Sequence, residues 1–252
     1  MLRTRLIPVL LYKNGILVRS RTFSLHQSVG DPIHQVERFT SWKADELIYL
    51  DINRDDTYDY RDTMQTIGST SSKRDLDVSV AKNFIDIVSL ISKKCRIPLT
   101  VGGKVRTLED VRVRLKNGAD KVSINTAALE HPEFITEVAE AFGSQCVVVS
   151  IDAKFDTEKQ THEVLSSFGK VVTGRDPVSW AKEVEARGAG EILLQSIDRA
   201  GMGTGYDLPL IKTVSNAVTI PVIALGGVGE FKHLIEGIVD GEASAAGAAN
   251  IF

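Results

Sequence analysis

A (β/α)8 barrel, one α/β domain closed by eight parallel strands, is the fold this sequence predicts, and three observations carry the prediction. Short runs rich in Val, Ile and Leu recur along the chain with helical stretches between them, as the strand–helix repeats of a parallel sheet require. The runs are apolar almost throughout, so both of their faces are covered, as in a sheet ringed by helices. The chain has 252 residues, and single barrels of this kind run to about 250. We read residues 1–252 as one domain.

In order, the first strand falls at 6–11, where Leu6-Ile7-Pro8-Val9-Leu10-Leu11 is unbroken. A helix at 32–42 leads to the second strand at 46–51, and a helix at 79–95 to the third at 99–102. Helices at 107–117 and 132–142 flank the fourth strand, 121–125, and the fifth follows at 146–152. The remaining helices, at 177–187, 208–216 and 230–239, alternate with strands at 191–196, 221–226 and 244–248. Two regions break the alternation. Residues 55–73 are polar, carry Gly68-Ser69-Thr70-Ser71-Ser72, and predict a long loop after the second strand. Residues 153–174 mix polar and β-prone residues around 166–169 and predict a hairpin inserted after the fifth. No stretch for a closing helix follows the eighth strand before Phe252, so the final helix is absent or truncated. The apolar surface beside strands one and eight then calls for a partner, a compensating loop or a tail.

The chain also echoes itself. Ile97-Pro98-Leu99 leads to Gly102-Gly103, a helix and a strand, and Ile220-Pro221-Val222 leads to Gly226-Gly227, a helix and a strand. Ala44-Asp45-Glu46-Leu47 is answered by Ala189-Gly190-Glu191-Ile192. Two related half-barrels produce such a pattern.

Composition excludes some functions. A net charge of −3 gives no general attraction to nucleic acid or to an anionic membrane. No run approaches the roughly 18 apolar residues of a membrane span, and the N-terminus enters a strand pattern directly, so a cytoplasmic protein is expected. Cys95 and Cys146 lack metal-ligand spacing and are expected as structural thiols, one ending a helix and one starting a strand. His26, His34, His131, His162 and His233 share no spacing and are expected on loops or helix surfaces. No metal or cofactor is expected.

Charge does mark the two mouths of the barrel. Arg5, Glu46, Lys121 and Glu191 each stand at the start of a strand, which gathers two cations and two carboxylates at the N-terminal mouth, with Asp45 and Asp120 nearby. Chemistry in these barrels sits at the opposite face, so the four suggest a gate. Solvated charges or ordinary ion pairs are the plainer alternative. At the C-terminal ends, Asp152 and Asp51 are the candidate acid–base groups, with a Lys partner or a backbone cap as their bland reading. Gly102 and Gly103, Gly226 and Gly227, and Gly201 after the sixth strand offer turns for phosphate, or simply tight connections. Asn125 and Thr126 can bond a phosphate or cap the next helix.

These residues resemble a known family, the cyclase subunit of imidazole glycerol phosphate synthase. The segments that carry the likeness are Asp45-Glu46-Leu47, Leu50-Asp51-Ile52, Thr100-Val101-Gly102-Gly103, the run from Gly118 to Asn125, Phe142-Gly143-Ser144-Gln145, Ile151-Asp152-Ala153-Lys154, the run from Gly188 to Leu194, Ser196-Ile197-Asp198-Arg199 and Gly205-Tyr206-Asp207. The likeness covers the chain apart from 55–73. It implies a (β/α)8 barrel that takes ammonia from a glutaminase docked at its bottom, in a heterodimer. It also implies Arg5, Glu46, Lys121 and Glu191 as the gate, Asp120 at the glutaminase interface, and ring closure on a bis-phosphate substrate at the top by aspartates of strands one and five.

Several positions depart from that pattern. Leu11 stands where the strand-one aspartate belongs, while Asp152 matches the other. Lys104 replaces a third glycine, Ala200 an acid, Met202 a threonine, Arg19 a lysine and Asn250 the serine of the last phosphate turn. Beginning Met1-Leu2-Arg3-Thr4-Arg5-Leu6-Ile7-Pro8-Val9-Leu10-Leu11, the chain is also similar to a paralogous group linked to acetamidino sugars of surface polysaccharides, with which the N-terminal match and Leu11 agree. That likeness implies ammonia supply to a separate sugar amidotransferase. The alternatives are a genuine cyclase of histidine biosynthesis and a non-catalytic scaffold that activates a glutaminase.

Overall fold

The computed structural model describes residues 4–53 and 83–249. Strand β1 (Arg5–Lys13) runs into a hairpin of β2 (Ile16–Arg21) and β3 (Leu25–Gly30), followed by α1 (Pro32–Ser41) and β4 (Leu47–Asp51). Then come α2 (Phe84–Ser92), β5 (Leu99–Gly102), α3 (Leu108–Lys116), β6 (Lys121–Ile124), α4 (Thr126–Glu130) and α5 (Glu133–Phe142). Strand β7 (Val147–Asp156) continues into β8 (Thr161–Ser166) and β9 (Val171–Val172). Helix α6 (Pro177–Ala186), β10 (Glu191–Ser196), α7 (Leu208–Ser215), β11 (Val222–Leu225), α8 (Phe231–Val239) and β12 (Ala245–Ala248) complete the order.

Eight of these strands close on themselves. The parallel pairs run β1–β4, β4–β5, β5–β6, β6–β7, β7–β10, β10–β11, β11–β12 and β12–β1, a (β/α)8 barrel. Helix starts are fixed by short-range chemistry. Asp31, Asp176 and Asp207 each precede a proline in the first turn of a helix, and their carboxylates accept amides of that turn. Thr107 and Asp110 satisfy each other's backbone in a capping box at α3.

Burial divides into an inner and an outer layer. Ile7, Val9, Ile48, Val148, Leu193, Ile223, Leu225 and Ala245 point inward and fill the barrel. Residues of the opposite parity pack outward on the helices, with Trp180, Tyr12 and Tyr49 among the largest side chains fully buried.

The structure revises the expected elements in several places. The segment between the first strand and α1 forms a hairpin, because β2 pairs antiparallel with the extended end of β1 from Leu11 to Lys13. The short α4 also went unforeseen. The expected hairpin after the fifth strand is present, and its first arm is the barrel strand itself, paired with β8 from Asp152 to Asp156. Cys146 lies in a single 3-10 turn, Ser144–Cys146, before β7, and Cys95 lies beyond the end of α2. Burial raises the pKa of both thiols, which makes them poor nucleophiles. The loop expected at 55–73, the start of the helix expected at 79–95 and the residues after 249 lie outside the described residues. Helix α8 leaves Phe231, Ile235 and Val239, successive turns of one face, exposed. Among the described residues no helix is long and apolar enough to cross a membrane.

One contact explains a break in the internal echo. Asp45 accepts the Leu6 amide at 2.9 Å and Asp120 the Leu99 amide at 2.8 Å, each tying a strand start to its neighbour. At the matching place before β10 the chain has Gly190, where a Cβ would sit 2.3 Å from the Ser144 carbonyl oxygen. Gly190→Ala therefore forces backbone apart and costs ~2 kcal/mol, read as a lower urea midpoint at unchanged m-value.

Candidate functional site

At the N-terminal mouth the four charges meet in a closed ring. Arg5 Nη1 donates to Glu46 Oε2 at 2.9 Å and to Glu191 Oε1 at 2.8 Å. Lys121 Nζ bridges the same two carboxylates, at 2.9 and 3.0 Å to Glu46 and 3.0 Å to Glu191. Glu46, on the residue before β4, is 2% exposed and takes a further bond from Thr100 Oγ1 at 2.9 Å. Thr100 was missed by sequence reasoning. Its signal is a hydroxyl in the second position of an otherwise apolar strand. Asp120 is exposed beside the ring, with its carboxylate engaged by the Leu99 amide.

The C-terminal mouth holds a cavity of about 560 Å³. Both candidate acids line it. Asp152, near the end of the barrel part of β7, is 8% exposed and accepts from the Asn125 amide at 3.1 Å and the Ser150 hydroxyl at 3.4 Å. Burial pushes its carboxyl up to about 7, against the pull of those two bonds. A carboxyl titrating near neutrality can take or give a proton at the pH of the cell. Asp51 is held differently. Its Oδ1 accepts the backbone amide of Asn53 at 2.9 Å and its side-chain amide at 2.5 Å, and Lys104 Nζ stands 3.9 Å from Oδ2. Both bland readings of Asp51, Lys partner and backbone cap, thus apply to it. Leu11 lines the same cavity, at the barrel position facing the mouth of β1.

Asn125 stands before α4 without capping it, since its side chain is turned to Asp152 and to the Ser150 carbonyl. Thr126 accepts the Ser167 amide at 3.2 Å and so holds the tip of the β8–β9 turn over the cavity. At several of the glycines a side chain would have no room. A Cβ on Gly103 would meet the Asp51 carbonyl oxygen at 2.2 Å, one on Gly102 the Leu50 side chain at 2.6 Å, and one on Gly227 the Gly205 carbonyl oxygen at 2.1 Å. Gly201 is covered by the first hairpin, with the Ser20 carbonyl oxygen 2.4 Å from where a Cβ would stand, and Thr22 donates its amide to Ala200 at 2.8 Å. Around Gly201, Gly226 and Gly227 only about 30 Å³ remains. Asn250 lies outside the described residues.

Histidine placement differs from expectation. His34 and His131 are exposed, but His233 is buried and accepts the Gly229 and Glu230 amides at the start of α8. His162, half-buried on β8, meets Asp207 at 2.9 Å, and His26 lines the cavity.

An eight-stranded parallel barrel with a buried acid in a cavity at its C-terminal face has its candidate site at the end where (β/α)8 barrels place theirs. A family model described as "Histidine biosynthesis protein" matches residues 74–252, and the chain belongs to that family. The match agrees with the likeness to the cyclase subunit.

Asp152 also sets a pH dependence. From its ordinary 3.8 up to about 7 the folded protein keeps a proton that the unfolded chain has given up. Stability therefore falls as pH rises through that window, by at most ~4 kcal/mol. Asp152→Asn removes the loss: its melting temperature exceeds that of the wild type at pH 8 and equals it near pH 4, as thermal unfolding at the two pH values will show.

Proposed function

We propose that the protein accepts ammonia from a glutaminase bound at the Arg5–Glu46–Lys121–Glu191 ring and conducts it along the barrel axis to the upper cavity. In the favoured role that nitrogen serves the acetamidino modification of a surface-polysaccharide sugar, through a sugar amidotransferase. The observation that carries this reading is the closed ring, a charged constriction at the mouth opposite the cavity. Above it lies an apolar layer of Ile7, Ile48, Val148, Leu193 and Ile223, which a small neutral molecule crosses more readily than an ion. The family match supports a cyclase-type subunit paired with a glutaminase. Leu11 at the cavity supports an acceptor other than the cyclase substrate, because a leucine cannot move a proton.

The second reading is a genuine cyclase of histidine biosynthesis, which forms imidazole glycerol phosphate and AICAR from the phosphoribulosyl-formimino intermediate and ammonia. Asp152, held near 7 in the cavity, favours it. On that reading the protein turns over the intermediate, and Asp152→Asn slows it by about 10²–10⁴. On the favoured reading there is no turnover to lose, and a histidine auxotroph is not rescued.

The conduit itself is tested at Lys121. Lys121→Met leaves Glu46 its bonds from Arg5 and Thr100 and leaves Glu191 its bond from Arg5, so the barrel holds. With amide-¹⁵N glutamine, the variant should still bind the glutaminase while less label reaches product and more escapes as free ammonium. Equal labelling of product by wild type and variant, with the complex intact, contradicts a path through the ring.

A further inference from the structure

Two hairpins stand over the upper mouth and meet at their tips. A Cβ placed on Gly169, in the β8–β9 turn, would lie 3.1 Å from the ring of Phe23 in the β2–β3 turn. Arg21 Nε, at the end of β2, donates to the sulfur of Met202, in the turn after β10, at 3.3 Å. Along this arc Leu25, Phe168, Val171, Val172 and Met202 are exposed, half of the large apolar side chains so left among the described residues, and such grouping marks a surface that another molecule covers. The turns themselves are strained. Thr22 and Phe23 have φ of 46° and 60°, and Ser167 and Phe168 of 52° and 61°, paired left-handed residues of the kind that hairpin turns fill with Asn and Gly. Phenylalanine held in that conformation points to a use for its ring. Phe23 is half-buried against Gly169, whereas Phe168 is 40% exposed.

Three features say what covers the rim. Arg19, Arg21, Lys170 and Arg199 are exposed among the apolar residues, while Asp198, beside Arg199, has its carboxylate engaged by the Phe155 amide at 2.8 Å. Cations placed so fit an acidic partner and disfavour a second copy, which would bring like charges together. Strand β9 ends the sheet and pairs only with β8 among the described residues, so its outer edge offers backbone groups that another protein can bond and a lipid tail cannot. The cavity lies directly beneath, lined in part by Phe23 and Phe168, and ammonia reaching it is lost to water unless the mouth is covered.

We infer that the upper rim is a protein-docking surface, and that its occupant is the enzyme that consumes the delivered nitrogen, seated with an acidic, apolar-centred face across both hairpins. This occupant is distinct from the glutaminase at the opposite mouth. Its identity rests on the reading of the protein as an ammonia conduit, and its place rests on the rim alone.

Photo-crosslinking in the native cell tests the place, with Val172 of the full chain replaced by benzoylphenylalanine and Glu137, exposed on α5, replaced likewise as the control. Mass spectrometry should find an adduct with a sugar amidotransferase at position 172 and none at 137. Adducts only with a second copy, with lipid, with the glutaminase or with any other protein, or none above the control, overturn the inference. Nitrogen transfer tests the consequence. With the purified glutaminase and amidotransferase, amide-¹⁵N glutamine, and glutamate dehydrogenase with its substrates to remove free ammonium, Val172→Glu and Arg21→Glu should each lower labelled product at least about tenfold. Both variants should keep the wild-type melting temperature, and both should match the wild type when the scavenger is replaced by excess ammonium chloride. Undiminished labelled product in the two variants, or a loss that excess ammonium does not repair, overturns the inference. Rescue of a histidine auxotroph strikes the conduit reading, whereas a missing adduct at position 172, with labelling still dependent on Lys121, strikes the docking alone.

Discussion

Glu46 is a carboxylate taken almost wholly out of water, and three strands of the barrel converge on giving it partners. An isolated buried charge costs several kcal/mol, and it is tolerated here because Arg5, Lys121 and Thr100 all donate to it. Those donors come from β1, β5 and β6, and Glu191 joins from β10, so the compensation exists only when strands distant in sequence close in one register. The ring is also redundant. Every ion in it has two partners of opposite sign, so any one contact can part without leaving a charge alone. Parting a single buried pair, by contrast, leaves both of its charges alone.

Much of this was legible beforehand, and for physical reasons. The eight barrel strands are apolar almost throughout, and a parallel sheet covered on both faces writes that pattern into sequence whatever its function. The ring charges were legible because a charged residue immediately before such a run has one place to go, the mouth. Asp152 was legible because it ends a run at the opposite mouth. What escaped notice depends on tertiary contacts. The β2–β3 hairpin mixes Arg19, Arg21, Gln27 and Ser28 with its apolar residues and is held by its docking on the turn after β10, for which no local pattern exists. His233 reads as a helix-surface residue by position, and its burial comes from the two amides it accepts. At the glycine turns the structure accounts for the residue type, since a Cβ on Gly103, Gly201 or Gly227 would run into a carbonyl of the protein itself.

The two mouths therefore carry different kinds of information. The lower one keeps a set of four residues whose chemistry is fully accounted for by one another. At the upper one β5 and β11 stand opposite each other in the barrel and bear matching Gly-Gly turns, and among the described residues the larger cavity lies on the β5 side.

Strand β7 does not stop where the barrel does. The residues that bear Asp152 run on without a break to Asp156 as the near arm of the second hairpin, which is tethered by Phe155 to Asp198 on that arm and by His162 to Asp207 and Ser167 to Thr126 beyond it. The backbone that bears the acid is therefore also the backbone that bears its roof, and one continuous strand sets the place of both.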